Sequence, residues 1–181
     1  ISGIFDIYTS RTEDLLMQQN IPSLTGYMTT YNNIGETKNF GYDLTLNLVP
    51  VRTRDFEWSI GLNAAYTKNE IVSLSNGKED DIANGWFIGE STGVIYSYES
   101  AGLWKEEDAE EMAKFNANGH NFQVGMSRPV DQNGDHKIDE NDDRTVIGHY
   151  DPRWTLGLTT NLRYKGWDLG IQLYGRMDYT Y

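Results

Sequence analysis

The chain has 181 residues, no cysteine, 18 glycines and a formal net charge of −12. The absence of cysteine excludes a disulfide scaffold, a thiol nucleophile and thiolate-bound zinc, and the acidic balance excludes nucleic acid as an expected partner. No apolar run reaches the roughly 20 residues of a membrane-spanning helix, and no export signal is visible. These absences are typical of a soluble protein.

Apolar and polar residues alternate along the chain with the period of two of a β-strand. The alternation occurs in four segments, which cover residues 40–48, 56–66, 154–164 and 167–174, and a weaker strand is predicted over residues 3–17. Residues 93–98 also alternate, and only residues 105–115 have the composition of a short helix. The sequence therefore predicts an all-β, antiparallel protein.

The connections between the five segments are alternately long and short. Residues 18–38 and 73–152 form long connections, whereas residues 50–55 and 165–166 form tight turns. Antiparallel strands that run up and down place both short turns at one end and both long loops at the other. Long loops on one rim are normal in outer-membrane barrels.

The apolar face has aromatic residues at the strand ends and aliphatic residues between them. Trp154 and Tyr164 lie ten residues apart, about 33 Å along a strand and about 23 Å when it is tilted by some 45°. The lipid-facing band of a barrel is about 25 Å tall and has aromatic girdles. This pattern predicts a segment of an antiparallel transmembrane β-barrel. A β-sandwich with an aromatic core is the alternative. Because the smallest membrane barrels have about eight strands, a barrel would make this chain part of a larger protein.

Several motifs, in order and spread over most of the chain, resemble the SusC/RagA-type TonB-dependent outer-membrane transporters. They are Thr12–Leu16, Ile21-Pro22, Thr25-Gly26, Asn33–Leu46, Gly102–Trp104, Asp131–Asp135, Ile138-Asp139, Asp142, Ile147-Gly148, Pro152, Gly157 and Tyr164–Leu169.

The resemblance implies that residues 1–181 are a fragment near the C-terminal end of a plugged, roughly 22-stranded barrel. It implies extracellular loops at 18–38 and 73–152, periplasmic turns at 50–55 and 165–166, and a plug that this stretch does not include. The complete protein is expected in the outer membrane of a Bacteroidetes-type Gram-negative bacterium, in contact with lipid. It would import a glycan or peptide substrate, with energy from TonB acting through the plug and a SusD-like surface lipoprotein as partner.

Residues 131–142 carry oxygen ligands at the spacing of a flexible calcium loop. The candidate ligands at positions 1, 3, 5, 7, 9 and 12 are Asp131, Asn133, Asp135, the Lys137 carbonyl, Asp139 and Asp142. Two positions depart from the pattern, because His136 stands where glycine is usual and Asp142 where glutamate is usual. We predict a structural Ca²⁺; the alternative is a solvated turn in which Asn133-Gly134 reverses the chain.

No motif of an enzyme is present: there is no Gly-x-Ser-x-Gly elbow, phosphate-binding glycine loop or His-Glu-x-x-His helix. The three histidines are expected on loops rather than in a metal site. The long loop also contains aromatic residues that could stack on sugars or fold the loop on itself: Trp86, Phe87, Tyr96, Tyr98 and Trp104. Two other functions remain open, a secreted calcium-braced sandwich that binds carbohydrate and a passive porin.

The acidity belongs to one part of the chain. Residues 73–152 contain 17 acidic and 6 basic residues, and the remainder contains 10 acidic and 9 basic residues. The sequence therefore predicts a nearly neutral strand region with one charged loop.

Overall fold

The computed structural model describes residues 1–20, 29–33, 35–74 and 77–180. It divides into two compact units. The strand unit comprises Ile1–Val94 and His149–Tyr181, and the loop unit comprises Ile95–Gly148. The motif residues Ile21, Pro22, Thr25, Gly26 and Ile34 lie outside the described residues.

Antiparallel strands make up most of the described chain, as the alternating pattern predicts. The strands are β1 (Ser2–Thr12), β2 (Leu16–Asn20), β3 (Thr29–Asn33), β4 (Gly35–Arg52), β5 (Phe56–Leu74), β6 (Val94–Tyr98), β7 (Ser100–Leu103), β8 (Ser127–Pro129), β9 (Arg144–His149), β10 (Trp154–Tyr164) and β11 (Trp167–Met177). The α-helix α1 (Ala109–Ala117) follows a 3₁₀ turn at Glu106–Asp108. No helix in the described ranges has the length and hydropathy of a membrane span.

Five strands form one sheet in the order β1-β4-β5-β10-β11, and each neighbouring pair is antiparallel. The predicted bounds of β10 agree with the structure, but β4 and β5 are longer than predicted. They continue through polar residues such as Lys38 and Glu70, which face each other across the ladder. Backbone pairing, rather than side-chain alternation, extends these two strands.

Strand pairing also continues within the predicted long loops. Strands β2 and β3 pair inside residues 16–33, and β4 already begins at Gly35. In the second loop β6 pairs with β9 and β7 pairs with β8, so the alternation at 93–98 is confirmed as a strand. Both connections therefore contain paired strands in addition to irregular segments.

The two predicted turns join neighbouring strands. Lys165, with a φ of 52°, and Gly166 make the two-residue turn between β10 and β11, a backbone that suits the twist of a hairpin. At the other turn β4 runs on to Arg52, and the Thr53 N–H donates to the Phe56 carbonyl at 2.7 Å. The ladder shifts between Leu48 and Val51; Pro50 falls there, since proline has no N–H to donate to a regular ladder.

The sheet register brings the aromatic residues of neighbouring strands into two rows on the apolar face. Tyr42, Tyr66 and Trp154 lie side by side in one row, with ring centroids 5.0–5.5 Å apart. Phe56, Tyr164 and Trp167 form the row next to the short turns. Between the rows the face is mainly aliphatic: Leu44, Leu46, Leu48, Ile60, Leu62, Leu156, Leu158, Ile171 and Leu173.

This apolar face is uncovered at its β11 side, where Leu169, Ile171 and Leu173 are 54%, 44% and 59% exposed. In the described part of the strand unit, no second sheet buries these side chains. A sandwich core would bury them, so the sandwich alternative does not fit the fold.

Candidate functional site

The opposite face of the sheet is polar and is the first candidate for function. It presents small and amide side chains, among them Thr45, Asn47, Ser59, Asn63, Thr155, Thr159, Asn161 and Gln172. Asn63 accepts a hydrogen bond from the Thr45 hydroxyl at 3.1 Å. Asn63, Gly157 and Tyr174 share one register row, and the absence of a side chain at Gly157 leaves a groove between its two neighbours. The face can donate and accept hydrogen bonds across its whole width.

Tyr8 covers a glycine on the same polar face. A Cβ at Gly41 would lie 2.4 Å from the Tyr8 ring, so the ring crosses the sheet directly over this glycine. The Tyr8 and Thr67 hydroxyls lie 2.8 Å apart. The Tyr8 side chain is therefore held over Gly41 by its hydroxyl contact with Thr67.

Four charged side chains cross the sheet in one row next to the short turns. Arg52 donates to Glu57 through Nε at 3.0 Å and through a second nitrogen at 3.1 Å, and Arg163 Nε donates to Asp168 at 3.0 Å. Glu57 and Arg163 are register partners. Alternating charges therefore link β4, β5, β10 and β11 at this end of the polar face.

The loop unit has a small core of aromatic side chains. Trp104 is 1% exposed and packs against Phe115 and Phe122, with ring centroids 5.6 Å apart in both pairs. The Arg128 guanidinium lies 4.6 Å from the centre of the Trp104 ring and pairs with Asp108 at 3.0 Å. Of the two functions considered for Trp104, stacking on sugars or folding the loop, its burial favours the second.

Two histidines connect this core to the acidic turn, residues 131–143. His120 stacks on Phe122 at 5.1 Å, and its Nε2 accepts the Ile138 N–H at 3.0 Å. His136 packs 5.5 Å from Phe115. Both are loop histidines, as expected, but each has a packing role that their scattered positions in the sequence did not indicate.

The acidic turn is held by hydrogen bonds from its own backbone. Asp131 accepts the N–H groups of Gly134 and His136 at 2.7 and 2.8 Å, and Asn133 accepts that of Asp135 at 2.9 Å. His136 has a φ of 61°, so it takes the left-handed conformation that the sharp-turn position requires. Asp139 accepts the N–H groups of Asn141 and Asp142.

Asp143 is the central residue of this turn, although it is not one of the ligands that the spacing predicts. It is 1% exposed, and its two carboxylate oxygens accept the N–H groups of Gln132 at 2.9 Å and Asp139 at 2.8 Å. Asp142, the predicted position 12, is exposed. A count of twelve positions cannot show which of two adjacent aspartates turns inward.

The predicted calcium ligands do not converge in this conformation. Within residues 1–20, 29–33, 35–74 and 77–180 no three Asp, Glu or His side chains are arranged to hold one metal ion. The carboxylates of Asp131 and Asp139 accept hydrogen bonds from backbone N–H groups. The calcium site at Asp131, Asn133, Asp135, Lys137, Asp139 and Asp142 therefore stays a prediction.

Removal of the Asp143 carboxylate is expected to open the acidic turn. Asp143→Ala leaves two amide groups without their acceptor, at about 1–3 kcal/mol for each buried unsatisfied group. Amide hydrogen exchange in the full-length protein should therefore accelerate at Gln132 and Asp139. Asp142→Ala is the matched control and should leave both amides unchanged; equal acceleration in the two variants would contradict the assignment.

The loop unit is also expected to loosen in acid. Hydrogen bonds from the Asn141 and Asp142 amides lower the pKa of Asp139, and the hydrogen bond from Lys114 lowers that of Glu111. A carboxyl with a lowered pKa contributes stability above its unfolded pKa, and this contribution disappears as the pH falls through its folded pKa. Hydrogen exchange of residues 139–142, corrected for intrinsic rates, should therefore accelerate below about pH 4. Asp139→Asn should weaken this pH dependence, and an unchanged profile would speak against the role of Asp139.

Comparison with known proteins identifies several that are similar to this chain in sequence. No family model matches. TonB-dependent receptor P3 of Formosa agariphila is 32% identical over 178 residues, covering 92% of this chain and 18% of that protein. TonB-dependent receptor SusC of Bacteroides thetaiotaomicron is 27% identical over 176 residues, covering 96% and 17%. The resemblance to SusC/RagA-type TonB-dependent receptors is confirmed.

Solved structures extend this likeness to the fold of the receptors. A structure of the RagAB peptide transporter matches with a TM-score of 0.70 at 22% identity, over 97% of this chain and 19% of that one. The RagAB peptide importer in its open-open state matches with a TM-score of 0.72 at 23% identity, over 98% and 18%. The predicted fold class, an antiparallel barrel segment, is confirmed. The matching proteins are receptors and transporters rather than enzymes, which also agrees with the prediction of no enzymatic activity.

The chain spans less than a fifth of the length of these four receptor chains, between 17% and 19% of each. Functions of a whole receptor depend on residues beyond this segment. The segment contributes two sheet faces and a separate loop unit, whose roles follow from their chemistry.

Proposed function

We propose that this chain is part of the wall of a TonB-dependent importer in the outer membrane of a Bacteroidetes-type bacterium. Its apolar face would contact lipid and its polar face would line the lumen. The complete protein would take up oligosaccharides or peptides.

The arrangement of the two aromatic rows supports this proposal most directly. The rows at Trp154 and Tyr164 end the apolar face of β10, about 33 Å apart along the strand and about 23 Å apart along the membrane normal at a 45° tilt. This separation agrees with a lipid-facing band of about 25 Å. The polar face behind the band has the hydrated, small-residue character of a lumen wall.

The proposed partners of the complete protein rest on the names of the related proteins. SusC is a TonB-dependent receptor by name, and the matching structures are of a RagAB complex. We therefore assign a SusD-like surface lipoprotein as partner, and TonB as the energy source through a plug elsewhere in the full-length protein. The acidic loop unit, which belongs to the 73–152 connection, would lie on the extracellular side. Residues 50–55 and 165–166 would then be periplasmic turns.

Uptake by the native bacterium tests the proposed function. Cells that carry the full-length gene should accumulate a labelled oligosaccharide or peptide, and deletion of the gene or of TonB should abolish this uptake. The protein should fractionate with the outer membrane. Uptake that persists without TonB would favour the passive porin, and a protein that is soluble without detergent would contradict the outer-membrane assignment.

For Ca²⁺ we propose only a structural role, the stabilisation of the acidic turn. The candidate carboxylates do not form a metal site as they stand, so Ca²⁺ binding would require some of these side chains to move. Calorimetric titration of the full-length protein with Ca²⁺ should release or absorb heat, and Asp131→Ala and Asp135→Ala should remove that signal. The absence of heat from the wild-type protein would rule the site out.

A further inference from the structure

A hydrogen bond to a histidine ring joins the acidic turn to the segment that follows α1. The Ile138 N–H donates to His120 Nε2 at 3.0 Å. A ring nitrogen that accepts a hydrogen bond carries no proton, so this contact determines both the tautomer and the charge of the imidazole. His120 is therefore neutral in this conformation, with its one ring proton on Nδ1.

Aromatic packing holds the His120 ring in the position that this hydrogen bond needs. The ring stacks on Phe122 with centroids 5.1 Å apart and planes 16° apart, and it lies 6.4 Å from the Phe115 ring. The backbone N–H of His120 donates to the Phe115 carbonyl at 3.3 Å, at the end of α1. Because both the ring and the backbone are attached to the aromatic core, Nε2 is kept directed at Ile138.

A protonated His120 would have no carboxylate partner in the part of the chain that the structure describes. The polar contact of its ring there is the one with Ile138. The charged and titratable groups nearest in sequence to its contact residues Phe115 and Ile138 are Glu111, Lys114, His136, Lys137 and Asp139. Glu111 pairs with Lys114 at 2.9 Å, and Asp139 accepts a backbone N–H of its own turn. A positive charge on the His120 ring would therefore lack compensation by an ion pair.

Protonation would also reverse the role of Nε2 in the hydrogen bond. Imidazole takes up its proton between about pH 8 and about pH 5, and an Nε2–H would face the Ile138 N–H donor to donor. The stabilisation from this contact is thus present when the ring is neutral and is lost as the pH falls through the titration of His120. We propose that the contact between His120 and Ile138 is a pH-sensitive latch, closed at neutral pH and open in mild acid. We call it the histidine latch.

A second histidine responds to pH in the opposite sense and keeps the opening local. His136 Nε2 lies 3.4 Å from Glu111 Oε1, so protonation of His136 would strengthen this pair. The Asn118 amide donates to the His136 carbonyl at 3.1 Å, a contact without a titrating group. These contacts hold the first half of the acidic turn at any pH in this range, and the latch releases the segment at Ile138.

Amide hydrogen exchange of the full-length protein at about pH 8 and about pH 5 tests the histidine latch. After correction for intrinsic rates, protection of the Ile138 amide should fall about fivefold or more at the lower pH, the factor that corresponds to one hydrogen bond. Protection of the β10 amides should not change. The lower pH stays above the range in which the Asp139 carboxyl is expected to take up a proton, so the two acid effects are separable.

Two substitutions of His120 separate its acceptor from its charge. His120→Gln keeps a side-chain acceptor but cannot be protonated, so Ile138 should stay protected at both pH values. His120→Phe keeps a stacked ring but has no acceptor, so Ile138 should exchange rapidly at both. His136→Gln is the control and should retain the pH dependence of the wild type.

Three results would each overturn the histidine latch. The first is equal protection of Ile138 in the wild type at the two pH values. The second is a His120→Gln variant that loses protection with falling pH as the wild type does, and the third is a His120→Phe variant as well protected as the wild type at about pH 8. All contacts of the latch lie within the loop unit, so its test does not depend on the proposed function.

Discussion

Leu158→Arg is expected to destabilise the assembled full-length protein by about 2–4 kcal/mol, the penalty for arginine on the lipid face near the bilayer midplane. Leu158 lies midway between the aromatic rows, in register with Leu62 and Leu173 on the apolar face. On the proposed lipid-facing side, the charge would be placed in hydrocarbon, where it is poorly hydrated. Denaturant unfolding of the protein in phospholipid vesicles measures the change.

Thr159→Arg is the matched control for this prediction. Thr159 follows Leu158 in the same strand and belongs to the polar face, in register with Gly61 and Gln172. Its arginine would enter the hydrated side and should change the stability by less than about 1 kcal/mol. If both substitutions destabilise the protein equally, the assignment of lipid and lumen faces is wrong.

The sheet could be predicted because its signals are local. In β10, alternation from Trp154 to Tyr164 and the following Lys165-Gly166 turn define the strand within a dozen residues. The added length of β4 and β5 was not predictable in this way. It depends on backbone pairing between residues about thirty positions apart, such as Lys38 and Glu70, and their side chains do not alternate in polarity.

The acidic turn shows the same difference between features that local sequence predicts and features that depend on the fold. Spacing alone drew attention to residues 131–142, but the inward turn of Asp143 depends on where the amides of Gln132 and Asp139 lie in space.

Trp104→Ala is expected to disorder much of the loop unit, with a loss of about 3–5 kcal/mol that is typical of a large aromatic residue removed from a core. The Trp104 ring contacts Phe115 of α1, Phe122 and the Arg128 guanidinium. Without it, α1 would lose the surface against which its buried residue packs. Hydrogen exchange of the α1 amides in the full-length protein should rise strongly, while exchange in β10 should not change.

Trp104→Phe separates packing from hydrogen bonding at this position. Trp104 Nε1 is buried and has no acceptor among the described residues, so phenylalanine removes an unpaired donor together with part of the ring. The loss of the unpaired N–H offsets some of the lost contact area. Trp104→Phe should therefore protect α1 far better than Trp104→Ala does. Equally fast exchange in the two variants would contradict a role of the Trp104 ring in packing the core of the loop unit.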